Sequence, residues 1–74
     1  MSVSKHNLFE LAVAYVKIIE RIEATADPKQ LHKLEEERVI RHNQFADALQ
    51  AAGIRYKDRE HVTRIALRLA KEEL

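Results

Sequence analysis

The stretch NLFELAVAYVKII, residues 7–19, constrains this chain more than any other, because only Asn7, Glu10 and Lys17 interrupt its ten apolar side chains. A surface helix of a monomer shows one apolar stripe, whereas a helix that is apolar around most of its circumference has to be covered on several sides. Leu8, Leu11, Tyr15, Ile18 and Ile22 step by three and four, as a coiled-coil seam does. A second row, Phe9, Val13 and Val16, runs beside that seam, with Ala12 and Ile19 between them. The polar strip narrows to Glu10, Ala14, Lys17 and Arg21.

The rest of the chain offers little cover. Its 74 residues support one domain, 1–74, with a thin core. A single core of that size rarely supplies more than about 3–5 kcal/mol, so small scaffolds add disulfides, a metal or a partner chain. With no cysteine, disulfides, zinc ribbons, iron–sulfur ligation and thiol catalysis are excluded. Packing and partner chains remain.

Glycine and proline occur once each, so nearly every position is compatible with a helix interior and the fold class expected is all-α. The two breakers divide the chain. Asp27-Pro28-Lys29-Gln30 places an acid at an N-cap, proline at the first helical position and a glutamine able to reach back to the cap. Ala51-Ala52-Gly53-Ile54 places glycine where a left-handed residue closes a helix, and Asp58 reads as the next N-cap with Glu60 in the first turn. The expectation is helix 1 over about 4–25, helix 2 over about 28–52 and helix 3 over about 59–73. The short first connection implies a long antiparallel helical hairpin, onto which the third helix packs as a three-helix bundle. TRIALRL alternates like a strand of ribbon-helix-helix repressors, but Val62, Ile65, Ala66 and Leu69 read equally well at helical period, and only AKEEL follows.

Helix 2 offers Leu31, Leu34, Phe45 and Leu49 inward but is interrupted by Arg38, Arg41 and His42, and helix 3 is much shorter than helix 2. One end of the hairpin should therefore stand uncovered, and the economical remedy is a second copy of the chain. The expected dimer or partner interface comprises Leu8, Phe9, Leu11, Ala12, Val13, Tyr15, Val16 and Ile19. The alternative is a monomer that buries both rows itself. Arg38 and His42 either point inward to acceptors or lie at a solvated level where Glu37 pairs with Arg41, the latter being preferred.

No chemistry-bearing constellation stands out. The only serines are Ser2 and Ser4, and no nucleophile elbow or phosphate loop is present. His32 and Glu36 share a face at i, i+4 without a third ligand, so no metal site and no cofactor are expected. Arg55 and His61 match the loose arginine-to-histidine spacing of a family of helical ribonucleases, but Asp58 breaks the helix that would hold both. A non-enzymatic protein is expected. The opening MSVSKHNLFE lacks the pattern of a secretory signal, and the apolar run is shorter than the roughly 20 residues of a membrane span, so a soluble cytoplasmic protein without a membrane partner is expected.

Charge is unevenly divided. Residues 1–37 hold five bases against seven acids and residues 38–74 eight against five, with a net charge of +1 overall. Helix 2, Gly53 and helix 3 resemble a helix-turn-helix, with HVTRIALRL as the recognition helix. That resemblance implies nucleic-acid contacts through Arg55, Lys57, Arg64, Arg68 and Lys71. Against it, the turn from Gly53 to Asp58 is long for the motif and the basic excess is small. The leading expectation is a small helical interaction or regulatory module that self-associates through helix 1 and presents a helical surface to a protein partner. The alternative is a dimeric helix-turn-helix-like DNA- or RNA-binding regulator that uses helix 3 and the same five basic residues.

Overall fold

A computed structural model describes residues 5–72 as three helices, α1 (Lys5–Ala24), α2 (Pro28–Ala51) and α3 (Arg59–Glu72), with no strand among the described residues. TRIALRL lies within α3, as its helical period requires. The boundaries follow those expected to within a residue; the expected first residue of helix 1, Ser4, and last residue of helix 3, Glu73, lie outside the described residues.

Local chemistry explains the boundaries at the two connections. Thr25 closes α1 by donating its hydroxyl to the Arg21 carbonyl at 2.6 Å. Asp27 then stands extended at φ −77°, ψ 118°, the conformation a following proline favours, and its carboxylate accepts from the Lys29 N–H at 3.1 Å. At the other end of α2, Gly53 adopts φ +77°. The Gly53 N–H donates to the Gln50 carbonyl (3.0 Å) and the Ile54 N–H to the Leu49 carbonyl (2.9 Å). Those two bonds form a Schellman closure, which needs a left-handed residue.

At α3, the Asp58 carboxylate accepts from the His61 N–H at 2.9 Å, and His61 Nδ1 accepts in return from the Lys57 N–H at 3.0 Å. The arrangement is a variant of the capping box, with histidine in place of glutamate or glutamine and reaching back to the N–H of Lys57, the residue before the N-cap, rather than to that of Asp58. Glu60 in the first turn and Lys71 in the last complement the helix dipole.

The three helices enclose one core, and α1 lies at its centre. Both α2 and α3 pack closely on α1, while α2 and α3 meet each other far less. The core unites Leu8, Ala12 and Tyr15 of α1 with Phe45, Ala46, Ala48 and Leu49 of α2 and Val62 and Ala66 of α3. Alanine recurs where helices meet because a small side chain lets two backbones approach. The molecule measures 38 × 23 × 22 Å.

This arrangement corrects part of the interface expected from the sequence. Leu8, Ala12 and Tyr15 are 6%, 0% and 1% exposed within the chain itself, so they are not available to a partner. The reason is that α3 covers α1 on the side α2 leaves free, so much of the wide apolar surface is used inside the monomer. Coverage is still uneven along α2. At 1.5 Å per residue α2 is about 36 Å long and α3 about 21 Å. All buried residues of α2 fall between His42 and Leu49; none lies in residues 28–41, where Val39 and Ile40 are exposed. No helix among the described residues is long and apolar enough to cross a membrane.

Candidate interaction surface

What folding leaves over on α1 is its outer row. Phe9 and Val13 remain half-buried, and Leu11, Val16 and Ile19 are partly buried with one side packed against the core. Val13, Val16 and Ile19 meet Leu67 and Ala70 of α3 to line a groove of about 440 Å³. Lys17, Glu20 and Glu23 of α1 and Lys71 of α3 edge it. Leu67 is 38% exposed, high for a leucine beside an apolar groove. Leu67 was missed in the sequence because it stands off the main stripe of helix 3, whereas Ala70 continues that stripe four residues after Ala66 and is itself buried. The one available signal was the pair of apolar residues, Ala66 and Leu67, at consecutive positions.

On the opposite side of α1 a second groove, of about 500 Å³, runs between α1 and α2. Its lining includes Ala14, Ile18 and Ala24 but also Arg21, Glu37 and Arg41, so it is the more polar of the two. Lys17 and Glu20 border both grooves. They therefore sit on an outward ridge of α1 between two troughs.

The basic residues expected to meet nucleic acid, Arg55, Lys57, Arg64, Arg68 and Lys71, are all exposed. Arg64, Arg68 and Lys71 share one side of α3 through their spacing of four and three. Arg55 and Lys57 precede that helix in the connection spanning 52–58. A hollow of about 200 Å³ near the start of α3 brings Lys57 and Arg64 together, with Asp58 and Glu60 in the same lining. Acid and base thus balance locally, and His61, at the same place, holds its Nδ1 in the helix cap.

The polar level of α2 divides. Arg38 is half-exposed and pairs with Glu35 at 3.1 Å, while Arg41 meets Glu37 at 3.7 Å and Gln44 at 3.2 Å. The Glu37–Arg41 contact is the solvated i, i+4 pair preferred from the sequence, and the Glu35–Arg38 pair at i, i+3 is an addition to it. His42 instead turns inward, 8% exposed, edge-on to the Tyr15 ring with centroids 5.6 Å apart. Neither ring nitrogen of His42 has a hydrogen-bond partner. His32 meets Glu36 at 3.2 Å in the open. Among the described residues no three His, Cys, Asp or Glu side chains gather as a metal would need.

Comparison of the chain with protein-family models, with curated proteins and with solved structures finds no match to any of them.

Proposed function

We infer that this chain is a non-enzymatic helical interaction module, one that self-associates through the outer row of α1 and presents a helical surface to a protein partner. The observation that carries this reading is the α1/α3 groove: Val13, Val16, Ile19 and Leu67 line a concave apolar surface edged by charge. An apolar floor with a polar rim is the composition of a protein interface, where buried anchors supply affinity and charged neighbours orient the partner. The long α1/α2 pair, folded back as an antiparallel hairpin, supplies a rigid support. A cytoplasmic setting suits a chain this short without cysteine, since small domains of oxidising compartments usually rely on disulfides.

Sedimentation equilibrium over a wide concentration range tests the reading, with Val13→Glu and Val16→Glu as probes of the groove. A dimer that both substitutions dissociate supports it. A wild-type chain that stays monomeric removes self-association.

A second reading, a nucleic-acid-binding regulator, draws on the shared exposure of Arg64, Arg68 and Lys71. It requires an affinity whose logarithm falls with the logarithm of salt concentration and which drops when Arg64 and Arg68 become glutamine. Binding to oligonucleotides that the double substitution leaves unchanged excludes α3 as the contact.

A further inference from the structure

The outward ridge of α1 has a pattern of its own. Val13, Lys17, Glu20 and Ala24 follow one another at intervals of four, three and four, so that they line one side of the helix. That spacing reads the same in both directions about a midpoint between Lys17 and Glu20. The central pair carries opposite charges, both side chains are exposed, and the outer pair is apolar. A helix with this pattern is complementary to itself turned end for end.

We propose that a second copy of this chain covers the α1 ridge bordering the α1/α3 groove, its α1 lying antiparallel to the first about a two-fold axis between Lys17 and Glu20, so that Lys17 of each copy meets Glu20 of the other. The proposal rests on the self-association inferred above and specifies its register. An isologous two-fold contact requires a self-complementary surface, and the charge order along the ridge supplies one. In this register Val13 meets Ala24 of the second copy on either side of the ion pairs. Leu67 lines the adjoining groove from the α3 side and is exposed there. A parallel arrangement with the ridges in register instead brings Lys17 onto Lys17 and Glu20 onto Glu20, which is repulsive twice over.

The test is the dimer dissociation constant by sedimentation equilibrium for wild type, Lys17→Glu, Glu20→Lys and the double variant Lys17→Glu/Glu20→Lys, with circular dichroism as the check on folding. Each single reversal is expected to weaken the dimer about tenfold, because both pairs become repulsive, and the double reversal to recover wild-type affinity to within about threefold. An equimolar mixture of the two single variants should associate more tightly than either alone. Single reversals without effect, or a double variant as weak as the singles, overturn the register while leaving self-association standing. A wild type that is monomeric throughout overturns the second copy as cover of the ridge together with the inference on which it rests.

Discussion

Tyr15 and His42 meet edge to face, with ring centroids 5.6 Å apart and planes at 79°, and the imidazole in this contact has no hydrogen-bond partner for either nitrogen. The geometry is favourable between the rings, since edge-on approach sets the positive rim of one against the negative face of the other. The two unsatisfied nitrogens act against it, because a buried polar group without a partner costs about 1–3 kcal/mol. The second effect is the larger. His42→Leu is therefore expected to stabilise the chain by about 1 kcal/mol, read as a higher urea midpoint at unchanged slope. A midpoint that falls instead means the ring has a polar partner.

The same tyrosine makes a hydrogen bond that joins α1 to α3, from its hydroxyl to Thr63 Oγ1 at 2.9 Å. Thr63 also donates to the Arg59 carbonyl at 3.2 Å, so its hydroxyl has two partners to serve. Tyr15→Phe keeps the buried ring and removes only the bond. A loss of about 1 kcal/mol is expected, and a double-mutant cycle with Thr63→Val should show a coupling of similar size. Strict additivity in that cycle would mean that the two hydroxyls do not interact.

Gly53 is needed for its backbone rather than for room. A Cβ built on it meets nothing within 4 Å, so the whole cost of Gly53→Ala comes from φ +77°. The expected loss is about 1 kcal/mol, measured by chemical denaturation. Gly53→Asn should recover part of it, since asparagine tolerates the left-handed region better than alanine.

Core truncation should exceed what a chain of this size can tolerate. Phe45 and Leu49 are both 0% exposed and contribute two of the few large side chains in a core otherwise rich in alanine. Phe45→Ala costs about 3–5 kcal/mol and Leu49→Ala about 2–5, comparable with all the stability expected of a single small core. Loss of cooperative thermal unfolding by circular dichroism is expected for each. The exposed pair Glu37–Arg41, at 3.7 Å, is the contrast: Glu37→Gln should shift stability by less than about 0.5 kcal/mol.

The helix ends were legible because each rests on residues adjacent in sequence. Asp27 before Pro28, Gly53 after Ala52 and Asp58 before Arg59 act through their own backbone and one or two neighbours. The reciprocal partner at Asp58 was less legible, because the role is filled by His61 rather than by glutamate or glutamine. At the first cap Asp27 bonds Lys29, while Gln30 stays exposed. The candidate surface was only half visible. Phe9, Val13, Val16 and Ile19 could be picked from the breadth of the apolar row, but Leu67 and Ala70 join them only through the placement of α3.

By itself the sequence determined the number of helices, the breaks between them at Asp27-Pro28 and at Gly53 to Asp58, and that α1 must be covered on more than one side, since propensity, capping and periodicity are local properties. Only the tertiary structure decided what does the covering. The same breadth of apolar surface fits a second chain or a third helix equally well, and the packing of α3 on α1 assigns Leu8, Ala12 and Tyr15 to the core. Packing likewise turned His42 inward while Arg38, one turn before it, kept its guanidinium at the surface with Glu35. A spacing of four places both on one face of a helix, but how deeply each is buried depends on which neighbouring helix lies opposite.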